Sequence, residues 1–188
     1  MRKPTLSIIS TLLVIAAAYS QNTVGLLSYD FSQTYNGYNL MFPHNQPDVF
    51  LLNNCGEIVQ TWADADTFRP GNIAYLTEEG NLIKGKRNAN VANDPIWAGG
   101  GGETIEIRSW DNELLWTFTL NDSTRRIHHD FEPLPNGNIL MIVWDNRTAE
   151  EAIEAGRDPD LLFDGELWSE SIIEVKPIGL DSFDIVRR

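Results

Sequence analysis

The sequence predicts an all-β fold: a β-propeller of about three four-stranded blades that do not complete a ring. Three observations predict it. First, a glycine turn recurs as "NGYNLM" at Asn36, "EGNLI" at Glu79 and "NGNILM" at Asn136. Each sets glycine just before a short apolar run, and glycine supplies the positive φ that tight hairpins need. Second, each turn is followed by an acidic residue, a strand-like run, a polar turn and a second strand. These stretches are "DVFLLNNCGEIVQTW", "ETIEIRSWDNELLWTF" and "ESIIEVKPIGLDSFDIV". Third, the spacing is regular: the interval from Gly56 to Asn112 and the interval from Gly80 to Gly137 differ by a single position. Quartets of short strands at such a period mark a propeller, whereas a β-sandwich needs no such regular quartets.

Each unit reads as strands A to D in an antiparallel meander. In the second unit they fall near "NIAYLTEE", "NLIKGK", "TIEIRSW" and "ELLWTFTL". In the third they are "HHDFEPL", "NILMIVW", "SIIEVKP" and "SFDIV". In the first, "VGLLSYDF" is the candidate A strand. Propellers close with about four to eight blades, so three units leave two uncovered edges. The expectation is a fragment, or a subunit that needs missing blades or a second chain.

The domain reading is a signal peptide over residues 1–20 and a partial propeller over residues 21–188, with a loop insertion at 145–169. "MRK" is a positive n-region, "LSIISTLLVIAAA" is a short apolar run, and small residues follow with cleavage expected after Ala18 or Ser20. The run is short for a membrane span, so the mature chain is expected to be secreted or periplasmic and free of the membrane. The formal net charge of -13 repels phosphate backbones, which argues against a nucleic-acid partner. Cys55 is the only cysteine, so no intramolecular disulfide forms; it reads as a turn residue rather than a reactive thiol.

Two long B–C connections interrupt the pattern, and long loops in compact domains are often functional. One runs over residues 85–102 and ends in "AGGGG". It lacks the Lys-Ser/Thr of a phosphate loop and reads as a flexible connection or a close approach of backbones. The other contains "TAEEAIEAG", in which Thr148 and Glu151 form a capping box and Gly156 ends a short helix. Asp158, Asp160 and Asp164 follow, without the spacing of a helix-loop-helix calcium site. No metal site and no cofactor is expected. Asn121 and Asn146 each begin an N-glycosylation sequon.

Two of the chain's three histidines are adjacent, in "RRIHHDFEPLPNGNIL". At the Gly80-to-Gly137 interval, His128 corresponds to Gly71 and His129 to Asn72, so a blade folds without these histidines. Strand alternation would send the two rings to opposite faces. Histidine near neutral pH serves as acid, base or nucleophile, and arginine holds anionic groups through a planar fork. His128 and His129 are therefore the candidate catalytic residues. Arg125 and Arg126 are candidates for holding an anion, and Asp130 for orienting an imidazole. His44, in the first unit's B–C connection, belongs to the same end and is a further candidate for substrate binding. This set suits sulfate or phosphate esters. Solvated arginines and a satisfied core histidine are the bland alternative.

"GYNLMFP…DVFLLNNCGEIVQTW" and "RRIHHDFEPLPNGNILMIVWD" resemble repeats of the aryl-sulfate-dependent arylsulfotransferase family, over most of the chain from about Val24 onward. The resemblance implies a six-bladed propeller in an exported enzyme. It implies transfer of a sulfuryl group from a phenolic sulfate ester to a phenol acceptor through a sulfated histidine. His128 and His129 match a histidine element of the family pattern. The sulfated histidine itself is expected in a later blade, so this chain alone is expected to be inactive. A secreted propeller module that binds a partner or carbohydrate without catalysis is the competing reading.

Overall fold

The structure, a computed structural model, describes residues 25–90, 94, 96 and 99–188. The expected signal peptide lies outside the described residues. Those residues form an all-β protein of three antiparallel sheets, none of them closed. The first sheet holds β1 (Tyr38–Met41), β2 (Val49–Asn53) and β3 (Ile58–Trp62). The second holds β4 (Phe68–Leu76), β5 (Leu82–Asn88), β6 (Thr104–Arg108) and β7 (Leu114–Thr119). The third holds β8 (Arg125–Pro133), β9 (Ile139–Thr148), β10 (Glu166–Ile178) and β11 (Ser182–Arg187). Among the described residues no helix is long and apolar enough to cross a membrane.

The repeat seen in the sequence governs the turns. Gly56, Gly80 and Gly137 adopt φ of 79°, 85° and 83°, and Asn112 adopts 66° at the position matching Gly56. Gly37 is not among the positive-φ glycines, and among the described residues no strand precedes it to make a hairpin. For the same reason the first sheet has three strands: residues 25–31, expected as an A strand, are irregular and end in a turn. The insertion is also shorter than expected. Residues 145–148 and 166–169 continue the β9–β10 ladder, with Asp145 opposite Ser169 and Thr148 opposite Glu166. Between them α1 (Ala149–Glu154) starts at the Thr148–Glu151 capping box, and Gly156 follows it at φ 97°. Asp158 caps the short 3-10 turn Pro159–Leu161.

The sheets stack face on face, because alternation gives each strand one residue for each side. On β5, Leu82 joins Val49, Leu51 and Trp62 of the first sheet, while Ile83 joins the cluster shared with the third sheet. That larger cluster sets Ile105, Trp116 and Phe118 against Met141, Val143 and Ile173. A tryptophan fastens each step. Trp62 Nε1 donates to the Ser109 carbonyl at 3.0 Å, and Trp116 Nε1 donates to the Ser182 carbonyl at 2.9 Å. Between the first two sheets lies a buried charge ladder. Asp64 meets Lys84 at 2.6 Å, Lys86 meets Glu106 at 2.6 Å, and Glu106 meets Arg108 at 2.8 Å.

Candidate functional site

The candidate site grows from a β-bulge. β4 is bulged between Pro70 and Ala74 against β5, and β8 between Ile127 and Phe131 against β9. The two bulges are the same feature one repeat apart. A bulge bends its strand and re-aims side chains. In β4 it holds Gly71, where a Cβ would stand 2.8 Å from the Lys86 amide nitrogen. In β8 it holds His128 and His129.

The bulge overturns the expectation that alternation separates the two rings. His129 takes a φ of 55°, in the left-handed region that non-glycine residues seldom occupy. That turn of the backbone brings His129 Nδ1 to 2.9 Å from His128 Nδ1, with the rings edge to face at 5.1 Å. His128 is only 2% exposed, while His129 is exposed. The His128 ring stacks on Trp144 at 4.1 Å and 10°. Burial first, then the neighbouring His129, pushes the His128 imidazole down to about 4; Glu170 opposes this more weakly. His128 is therefore neutral at pH 7.

The proton arrangement follows from what each nitrogen can reach. His128 Nε2 is buried and, among the described residues, has no hydrogen-bond partner. An orphaned buried N–H is rarer than an under-satisfied acceptor. The arrangement assigned from the network therefore has His128 donating from Nδ1 to His129 Nδ1. His128 Nε2 then keeps a lone pair, and His129 carries its proton on Nε2.

The glycine run makes this packing feasible, as a close approach of backbones. The His129 amide donates to the Gly100 carbonyl at 2.7 Å, and the Gly102 amide donates to the Ile127 carbonyl at 2.8 Å. A Cβ on Gly100 would collide with the His129 ring, and one on Gly101 would stand 2.6 Å from Arg126 Cζ. Arg126, 1% exposed, is turned to this loop. It donates to the Gly102 carbonyl at 2.9 Å and the Ile96 carbonyl at 2.7 Å, and pairs with Asp94 at 2.7 Å.

The other candidates divide. Arg125 is half-buried, and its amide donates to Asp122 Oδ1 at 2.9 Å. Asp130 does not orient a histidine: its Oδ1 accepts from the Tyr75 hydroxyl at 3.0 Å and the Phe131 amide at 2.7 Å. His44 lies in the β1–β2 connection, and no hydrogen bond or ring contact among the described residues joins it to the pair. Cys55 is exposed. Trp144, Gly100 and Gly101 were missed as site residues. The signal for the glycines was present, since an "AGGGG" run is costly in backbone entropy unless something must come close. No protein-family model, curated protein or solved structure matches the chain.

Proposed function

We propose that the three sheets are successive blades of a β-propeller, and that the protein is an exported arylsulfotransferase-like protein acting on phenolic sulfate esters. The observation that carries this reading is the imidazole pair in the β8 bulge, where the second sheet has Gly71 and Asn72. A blade needs no histidine there, and a strained φ at an exposed polar residue is typical of a functional position.

In this reading His129 is the sulfate contact. Its ring is exposed, and its Nε2–H donates to a sulfate oxygen. His128 orients it from behind, itself held by Trp144. Arg125 supplies positive charge at the same strand end, because the Arg126 guanidinium is engaged by the loop. The overall reaction needs no cofactor. A histidine of the complete site attacks sulfur, an N–S bond forms, the S–O bond to the aryl group breaks and a phenolate leaves. The acceptor phenol oxygen then attacks sulfur, the N–S bond breaks, and the acceptor's proton passes to the released phenolate.

A second reading, a binding module without catalysis, is favoured by one observation: His128 Nε2 is shielded from solvent. A single assay separates the two. The protein is incubated with 4-nitrophenyl sulfate, with and without a phenol, and His129→Ala is run alongside. Phenol-dependent release of 4-nitrophenol that is lost in His129→Ala supports transfer. Binding without release, seen as a shift of the His129 ring resonances, supports the sulfate contact and leaves transfer to the complete site. Neither binding nor release sinks the sulfate reading and leaves the module that binds another partner.

A further inference from the structure

Two arginines of the second sheet face each other without a counterion. Arg69 on β4 is the direct partner of Arg87 on β5. Directly opposed residues share one face of the sheet, with Cβ atoms about 4.5–5.5 Å apart, and like charges there repel. Both residues are half-buried. Alternation places them. Lys86 turns to Asp64 and the first sheet, so Arg87 stands on the other face with Gly85. A Cβ on Gly85 would meet the Phe131 ring at 3.4 Å, so this is the face that looks toward β8.

The repeat shows what this pair lacks. At the Gly80-to-Gly137 interval Arg69 corresponds to Arg126 and Arg87 to Trp144, which are again direct partners. In the third sheet a single arginine stands there beside an uncharged ring, and Asp94 neutralises it at 2.7 Å. The second sheet puts two cations in the same place and supplies no carboxylate. Acids are not scarce in a chain of net charge -13. Every acidic residue lies among the described residues, and neither guanidinium forms an ion pair with any of them. Glu103 Oε2 instead accepts from the Asn88 amide at 2.7 Å. Among the described residues both guanidiniums bond carbonyls through Nη1 alone: Arg69 to Asp66 at 2.7 Å and Phe68 at 2.6 Å, and Arg87 to Asn88 at 3.2 Å.

We propose that Arg69 and Arg87 form a clamp for a tetrahedral oxoanion, sulfate or phosphate, free or carried on a small ester. A planar guanidinium offers such a group paired N–H donors in a fixed fork. The carbonyl bonds use one nitrogen of each fork and leave Nε and Nη2 for the anion. An oxoanion between the two turns a cross-strand repulsion into two attractions, the part that Asp94 plays for Arg126. The clamp needs no transfer chemistry and no histidine, so it stands or falls separately from the assay above.

The test is a titration of the purified chain with sodium sulfate and with sodium phosphate, read by calorimetry and on the arginine Nε–H resonances. Sodium chloride holds the ionic strength constant, so that screening does not change. The wild type is expected to saturate, with the Arg69 and Arg87 resonances moving together. Arg69→Gln and Arg87→Gln each remove one fork and are expected to weaken binding by about tenfold or more. Arg87→Lys keeps the stem and the charge but not the fork, and is expected to fall between wild type and Arg87→Gln. Arg157→Gln, the same charge change at an exposed position on another sheet, and His129→Ala are expected to bind as the wild type does. 4-Nitrophenyl sulfate, followed at the same two resonances, separates an anion carried on an ester, which binds tighter than sulfate, from a free one, which does not. No saturable shift with either inorganic anion overturns the proposal. So does binding that survives both glutamine variants, that Arg157→Gln weakens equally, or that only His129→Ala removes.

Discussion

His128 Nδ1 lies 2.9 Å from His129 Nδ1, and this contact joins a buried imidazole to an exposed one. The buried member has a predictable cost in acid. Its pKa is about 4 in the folded protein, against an ordinary value of about 6.5 in the unfolded chain. Between those values the unfolded chain binds more protons, so stability rises with pH across that window. The contribution is fully present above about pH 6.5 and is lost as pH falls toward 4, at about 3 kcal/mol in total. Urea titrations at pH 7 and pH 4.5 should therefore differ. In His128→Phe, which keeps a ring on Trp144 but does not titrate, most of that difference should vanish. An unchanged pH dependence would refute the burial argument.

Gly100 makes room for the His129 ring, and it does so at a φ of 87°. Gly100→Ala meets both a conformational penalty and a collision. Strain of this kind costs about 1–3 kcal/mol. The expected result is a lower urea midpoint together with shifted His129 ring resonances. A substitution at Gly137, where a Cβ would meet nothing, carries the φ penalty alone and should leave the His129 resonances in place.

The sequence carried the meander and its turns because hairpin geometry is local. Gly80 and Gly137 announce the same positive-φ turn wherever they stand in the chain. The stacking of sheets obeys an equally local rule, since alternation on β5 sends Leu82 and Ile83 to different neighbours. What was hidden depends on a departure from alternation. The positive φ at His129 is set by a bulge whose position is fixed by pairing with β9 and with the 100–102 loop, both distant in sequence. The role of Arg126 was hidden for the same reason. An "RR" pair reads as two anion-binding side chains until Asp94, Ile96 and Gly102 close over one of them.

Asp64 is the hinge of the buried charge ladder. Burial tends to raise its carboxyl, but the hydrogen bond and charge of Lys84 outweigh that and hold it below the usual carboxylate range. Lys84 is fully buried, and burial holds its ammonium below the ordinary value despite Asp64. Removing one partner of a buried pair costs about 3–5 kcal/mol, because the other charge is left unpaired. Asp64→Ala should lose stability on that scale. Asp64→Ala combined with Lys84→Met should lose much less, since no lone charge remains. Additive losses would mean that the pair is not coupled.

Arg126 offers the sharpest separation of a scaffolding role from a binding one. Its guanidinium holds two carbonyls and Asp94, and the side chain is almost wholly buried. Arg126→Met leaves the Asp94 carboxylate without its cation, at a cost of about 3–5 kcal/mol. Arg126→Lys keeps the charge but loses the planar fork that reaches several acceptors at once. In the lysine variant, hydrogen exchange should accelerate at the Gly102 and His129 amides, which bond the Ile127 and Gly100 carbonyls across the same seam. Affinity for 4-nitrophenyl sulfate should fall no more than the loosening of His129 accounts for. If exchange at both amides is unchanged while affinity collapses, Arg126 binds the anion itself, and the loop contacts give way when the ester arrives.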